Sequence, residues 1–507
     1  HHLGCRRGRD SGLDAPHGLG EIGMTVAVVC VYLTILVLIG VVSSRRGTQS
    51  AEDYFLAGRG FGTFVLFMAL FGTNITAFAM IGLPGLAYHK GVGVLGFFGA
   101  AATFWICVVF ILFGYPIWNI GRRNRYLTPS QMFKDRWNSP GVGRLILTLL
   151  IFYTIPYILI GVIAGGLTLH RLSDEQISYP AGAVIITLIT VFYTSLGGMR
   201  GTAWTNVFQG LVFMIFLLVA CICIAHELGG ASTLHQKLVE TAPEKLDPWS
   251  FPPGVWATGF LIGPVSVIAF PHMFLRLMAA RDSRSLKTTI AIYPWALLLL
   301  FVPTALMGVW GSVEVPGLVG KESDQIVPLL VAKLPAVLSA IGLVAILAAI
   351  MSSLDGQLLT ISTLTSVDVL GERIGWSPRM IGRVVVIGLA LITLVLALFR
   401  PDGIFKISKY AFSGYTLVIP IMAAAFFWPR STAAGILTGS IAGNLLLALY
   451  HLPTLSPKLD LNLPTFGLLP VALCLILEIA LIVLVSLATR PAPEDSLRKF
   501  ARPFDAS

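Results

Sequence analysis

Apolar residues run along this chain in long blocks parted by short polar segments, and the blocks exceed what a helix buried in a soluble core needs. One bilayer crossing takes about 20 predominantly apolar residues. The sequence offers thirteen stretches of that kind, at 25–43, 62–86, 92–118, 143–168, 179–196, 203–225, 255–275, 287–311, 336–368, 378–399, 403–428, 432–450 and 465–488. Each is expected to be helical, because backbone in hydrocarbon must satisfy its own hydrogen bonds. Two are interrupted. The second holds Gly72-Thr73-Asn74-Ile75-Thr76 near its middle, and the seventh holds Gly263-Pro264-Val265-Ser266 with Pro271 further on. They lie five spans apart and run in opposite directions. Interrupted helices at matching places in two halves point to an inverted repeat with unwound backbone at the membrane midplane. Two ordinary kinked helices are the plain alternative.

The ninth stretch carries Ser352, Ser353 and Asp355 where lipid-compatible side chains are the norm. An ionisable group inside a span costs several kcal/mol unless it faces a cavity, a partner or an ion. At about 100° per residue Ser352 and Asp355 share a face, with Ser353 beside it, so three oxygen donors converge. Oxygen clusters suit hard cations.

Apolar residues make up 56% of the 507 positions and charged residues 12%, which excludes a soluble domain and places the chain among polytopic membrane proteins. The net charge of +10 does not indicate nucleic acid, because the basic residues lie in short loops. Arg45, Arg46, Arg59, Arg122, Arg123, Arg125, Lys134, Arg136, Arg144, Arg200, Arg276, Arg281, Arg284, Lys287, Arg373, Arg379, Arg383 and Arg430 fall on one side. The positive-inside rule then puts the N-terminus outside and the C-terminus in the cytoplasm, for a multi-pass protein of the cell inner (plasma) membrane. Of six cysteines, all but Cys5 lie in apolar runs, so no disulfide framework is expected. Residues 1–23 precede the apolar pattern and are expected to be an affinity tag, an upstream reading-frame extension or a disordered tail. Residues 24–490 form a single membrane domain and 491–507 a cytoplasmic tail. No catalytic set and no nucleotide loop is evident, so an enzyme is not expected, nor any cofactor.

Five motifs taken together resemble the sodium/solute symporter family, whose members include sodium-coupled sugar, proline, pantothenate, sialic acid and monocarboxylate carriers. They are Glu52-Asp53-Tyr54-Phe55-Leu56-Ala57-Gly58-Arg59; Thr73-Asn74-Ile75-Thr76-Ala77; Tyr193-Thr194 with Gly197-Gly198-Met199-Arg200 and Trp204-Thr205; Arg276 with Ala279-Ala280-Arg281-Asp282-Ser283; and Ala348-Ala349-Ile350-Met351-Ser352-Ser353. The resemblance spans Met24 to about residue 490 and implies an all-α integral membrane fold of thirteen transmembrane helices. Helices 2–6 and 7–11 would form a five-plus-five inverted repeat of the leucine-transporter type. It implies Na+ as coupling ion and only metal, held by the carbonyls of Gly72, Ile75 and Ala349 and the hydroxyls of Ser352 and Ser353. Back-bonding of both serines to carbonyls one turn earlier is the alternative. Where some relatives carry an acid in the sixth helix this chain has Asn206, and where they carry a ninth-helix hydroxyl it has Asp355. The charge is therefore expected to be transposed, leaving Asp355 near Ser352 and Asn206 as a second cation site, a proton carrier or a lining of the ion exit. A solvated acid near the cytoplasmic end, or one paired with an inner-loop arginine, stays open.

Positions matching sugar contacts in relatives read Phe78, Ala79, Phe98 and Gly263, too apolar for a polyol, since each buried polar group left unpaired costs about 1–3 kcal/mol. Thr73, Thr76, Ser266, Lys409 and Tyr410, with Tyr153 or Tyr157, complete the expected solute site. Lys409 would attract a carboxylate unless it snorkels to the interface. His272 is expected to pack and Glu478 to pair peripherally. Pro84-Gly85-Leu86-Ala87-Tyr88, Gly210-Leu211-Val212, Pro271-His272 and Gln357-Leu358-Leu359 look most like the pantothenate branch. The expected function is sodium-coupled import of a small anionic solute, pantothenate-like or monocarboxylate, by alternating access. A proline-type amino acid symporter, or a membrane sensor on the same fold, is the alternative.

Overall fold

The computed structural model describes residues 19–46, 50–173, 175–370, 375–399, 404–455 and 463–505. Among these the regular structure is helical, apart from one isolated parallel bridge between Phe61 and Ala280. The chain opens with α1 (Leu19–Arg46) and the short α2 (Ala51–Leu56). Residues 19–23, expected to belong to a tail, are helical; residues 1–18 lie outside the described residues. The first broken pair is α3 (Thr63–Asn74) and α4 (Leu83–Lys90), joined through a wide turn at Phe78–Gly82 and bent by 57°. The next span joins α5 (Ala101–Val109) to α6 (Tyr115–Arg123).

After α7 (Pro129–Arg136) come α8 (Pro140–Leu172) and the 49-residue α9 (Tyr179–Glu227). At 1.5 Å per residue α9 is about 74 Å long, roughly twice what one crossing requires. It breaks at Gly198, where φ is +55° and ψ −154°. A Cβ there would stand 2.7 Å from the Tyr54 ring, so both backbone and packing require glycine.

Helix α10 (Ala231–Thr241) leads to the second broken pair, α11 (Pro253–Ile262) and α12 (Pro271–Met278), bent by 56°. Pro271 explains that break, since a proline drives the preceding residue, here Phe270 at φ −62° and ψ 121°, into extended backbone and then starts a helix readily. Next follow α13 (Ser283–Glu314), α14 (Ile326–Ala332), α15 (Ala336–Leu364), α16 (Pro378–Leu398), α17 (Ile404–Thr416), α18 (Ile419–Phe427), α19 (Ala433–Leu455), α20 (Pro470–Ala488) and α21 (Glu494–Phe500). Helix starts follow from local chemistry. Asp282 caps α13 by accepting the Ser285 amide at 2.8 Å. Hydrogen bonds from Arg281 and Ser285 hold its carboxyl down at about 2.

Ten described helices are long and apolar enough to cross a membrane, or twelve if each bent pair is one span. Length and composition therefore do not reach thirteen; the expected stretches 179–196 and 203–225 are the two arms of α9 about Gly198. The axis of the bundle is α15, whose residues 342–364 are all buried. It packs against α1, α3, α8, α9, α12 and α16. The segment after α20 is held against the fold. Lys499 pairs with Asp135 at 2.8 Å, and Asn119 donates to the Pro503 and Asp505 carbonyls at 3.0 and 2.7 Å.

Candidate functional site

The break in α3 leaves Ile75 extended, at φ −82° and ψ 102°, with its N–H on the Phe71 carbonyl at 3.0 Å. Carbonyls near a helix end lack the partner a further turn would supply. One of them, Gly72 O, accepts the Ser352 hydroxyl at 2.8 Å, and the same hydroxyl lies 2.9 Å from Ala349 O. Ser353 donates to Ile350 O at 2.9 Å and lies 3.4 Å from Ala349 O. Both serines back-bond within α15, as the alternative reading has it. Ser352 in addition bridges to the broken helix. Gly72, Ile75, Ala349, Ser352 and Ser353 are all buried, so oxygen atoms from two helices meet in a water-poor volume.

One turn along α15, Asp355 is wholly buried. It is not a solvated acid near a helix end. Its Oδ2 accepts the Thr205 hydroxyl at 3.1 Å, while Oδ1 has no partner. Asn206, next to Thr205, makes no hydrogen bond to Asp355. It donates to the Thr73 hydroxyl at 2.8 Å, because neighbouring residues of α9 point to different helices. Thr73 is thereby turned towards α9, and it lines neither cavity described next. Tyr193, whose hydroxyl donates to Met351 O at 3.3 Å, and the Gln209–Tyr32 bond of 2.9 Å continue this buried polar layer.

Between the two breaks lies a cavity of about 30 Å³, lined by Asn74, Thr76, Ala79, Tyr157, Ser266 and Phe270 among others. The Thr76 hydroxyl accepts the Phe78 amide at 3.1 Å, and Ser266 donates to Gly263 O at 2.7 Å. A larger cavity of about 190 Å³ includes Gly263, Lys409, Ser413 and Thr416 in its walls. Phe78, Phe98 and Phe412 line both and form the partition between them. Phe78 stands edge-on to each of the other two, at 5.0 and 5.2 Å between ring centres.

Of the expected solute residues, Thr76, Ala79, Phe98 and Ser266 meet at the inner cavity, with Tyr157. Gly263 and the exposed Lys409 belong to the outer one. Tyr410 lines neither; its ring packs on His451 at 4.5 Å. Tyr153 instead donates to Asn444 at 2.5 Å. His272 packs between rings, at 5.7 Å from Tyr157 and 5.4 Å from Phe270, and Glu478 accepts the Ser440 hydroxyl at 2.8 Å. Sequence reasoning missed Asn74, although it stands inside the interruption that signalled the break. It also missed Phe270 and Phe412, which carry no signal apart from tertiary structure.

The sodium:solute symporter family model matches residues 54–443. The chain belongs to that family. The symporter is 25% identical over 491 residues to the sodium/proline symporter of Staphylococcus aureus (strain USA300 / TCH1516), covering 92% of this chain and 93% of the relative. It is 26% identical over 443 residues to the sodium/proline symporter of Salmonella typhimurium (strain LT2), covering 82% and 85%. In fold, the symporter matches a sodium-coupled sialic acid symporter in a substrate-bound, outward-open state, with a TM-score of 0.77, 19% identity and coverage of 93% and 99%. A nucleobase-cation-symport-1 family transporter matches at a TM-score of 0.58 with 16% identity, covering 88% and 97%. The symporter is thus a sodium-coupled membrane carrier of a small solute. The relatives do not support the pantothenate branch expected from short local patterns. Such patterns recur across branches, whereas the similarity to proline symporters extends over most of the chain.

Proposed function

We propose that this symporter couples inward sodium movement to uptake of a compact zwitterionic amino acid of the proline type. The observation that carries the coupling is the contact of Ser352 with Gly72 O. It joins the axial helix to the backbone freed by a break, the arrangement in which carrier folds hold a dehydrated cation. Sodium would sit among the Gly72, Ile75 and Ala349 carbonyls and the Ser352 and Ser353 hydroxyls. A second cation site would lie at Asp355. The solute reading rests on the lining of the inner cavity, which contains no charged side chain; at about 30 Å³ the cavity has room for roughly two waters and would have to widen to admit a solute. A proline-type solute would place its ring against Phe98, Phe270 and Phe412 and its polar end on Asn74, Thr76 and Ser266. A net anion would find no arginine or lysine there, and the outer Lys409 would act at entry. The names of the relatives point the same way.

Counting α9 as two crossings about Gly198 gives thirteen spans, with the two broken pairs leading the two five-helix repeats. The basic loops then place the N-terminus outside and the C-terminus in the cytoplasm of the plasma membrane. Alternating access follows, with sodium binding strengthening solute binding and the reverse by the same factor. A thermal-stability screen of proline, pantothenate, lactate and a hexose, each with and without sodium, tests the solute. Stabilisation by proline only when sodium is present is expected. Stabilisation by pantothenate alone among them would replace the reading.

A further inference from the structure

Arg276 lies on α12 beyond the second break and is completely buried, yet its Nε, Nη1 and Nη2 all lack a hydrogen-bond partner. Burying a guanidinium without a counter-charge is strongly unfavourable, so such a group exists to meet an anion in some state of the protein. The anion is close. Gly356, the residue after Asp355, faces the guanidinium so tightly that a Cβ on it would stand 3.0 Å from Nη1 and 3.2 Å from Nη2, besides 2.6 Å from the Thr73 methyl. Glycine at this position lets the guanidinium approach α15 one residue from Asp355. Oδ1 of the carboxylate accepts no hydrogen bond. The two groups are nonetheless not joined as an ion pair in this structure. They are neighbours on different helices, one on the bundle axis and one on a broken arm.

We propose that Arg276 is the internal counter-cation of Asp355, exchanging with sodium on that carboxylate. With sodium present, Asp355 faces the ion together with Thr205. With sodium absent, α12 and α15 bring the guanidinium onto Oδ1, so the unloaded carrier buries a neutral pair and not a bare charge. Sodium and Arg276 compete for one acid, and the competition ties ion occupancy to the position of the second broken helix. This inference rests on Asp355 being a cation site, as proposed above.

The test is a sodium titration of thermal unfolding, with sodium chloride against choline chloride and no solute, on the full chain purified in detergent. Arg276→Gln is expected to lower the melting temperature of the sodium-free protein, keep that of the sodium-saturated protein, and reduce the half-stabilising sodium concentration at least tenfold. Arg276→Lys, which keeps the charge, is expected to stay within about threefold of wild type. The variant combining Asp355→Asn with Arg276→Gln buries no charge at this place, so it remains measurable if the single variant folds poorly. In it the tightening is expected to vanish. An equal loss of stability with and without sodium would mean that Arg276 is only structural and would overturn the proposal. So would sodium tightening that survives in the double variant. A wild-type protein that sodium does not stabilise at all would fail the sodium reading itself, and the exchange with it.

Discussion

The Ser352 hydroxyl reaches the Gly72 carbonyl at 2.8 Å, so the side chain of the axial helix α15 touches backbone released by the break in α3. A cation held between them, as proposed, would have oxygen donors from both helices, and removing one donor would weaken its binding without disturbing the break. Ser352→Ala is expected to raise the half-saturating sodium concentration for uptake about tenfold, equivalent to about 1.4 kcal/mol. Ser362→Ala is the control, since that hydroxyl serves the Gly382 carbonyl at 2.8 Å elsewhere on α15. Its sodium dependence is expected to match wild type.

Asn74 stands in the break and lines the inner cavity. Asn74→Ala is expected to raise the KM for solute about 10- to 100-fold at saturating sodium, through loss of one hydrogen bond to a charged group worth about 1.5–3 kcal/mol. At saturating solute its sodium half-saturation is expected to stay within about threefold of wild type. Uptake assays varying one ligand at a time check both.

Gly198 divides α9 at φ +55° and ψ −154°, and a methyl group there meets the Tyr54 ring. Such backbone costs a residue other than glycine about 1–3 kcal/mol before any clash is counted. Gly198→Ala is therefore expected to reduce folded yield and lower the melting temperature in detergent. The same change at Gly388, where a Cβ meets nothing within 4 Å, is expected to do neither.

Both broken helices are legible in the sequence, because each run clusters glycine with proline or polar residues, and the structure bends there by 57° and 56°, whereas the lone Pro156 leaves α8 continuous. The patch of Ser352, Ser353 and Asp355 is equally legible, since helical spacing alone sets its common face. The division of α9 is legible too, since the stretches 179–196 and 203–225 part at Gly197-Gly198-Met199-Arg200 and the backbone breaks at Gly198. The partner of Asp355 is not. Thr205 and Asn206 are adjacent, and only the rotation of α9 against α15 and α3 decides that Thr205 meets the acid while Asn206 meets Thr73. Tyr410 lines neither cavity for the same reason: it follows Lys409 on α17 and packs on His451, and it is those two neighbours that reach the cavity wall.

Lys499 lies 2.8 Å from Asp135, and Phe500 stacks near Phe426 at 6.5 Å between ring centres. The pair is partly exposed, so its own contribution to stability is small, about 0–1 kcal/mol. Lys499→Glu is expected to leave the melting temperature nearly unchanged while speeding chymotrypsin cleavage at Phe500 and Phe504. Adding Asp135→Lys is expected to restore protection.

The central claim is that sodium held between α3 and α15 drives the solute inward. Proline accumulation by proteoliposomes under an imposed inward sodium gradient tests it most directly, comparing wild type with the variant carrying Ser352→Ala and Ser353→Ala. Wild type is expected to accumulate proline in a sodium-dependent manner and the variant to show none above the choline background. Equal, sodium-dependent accumulation by both would contradict that claim.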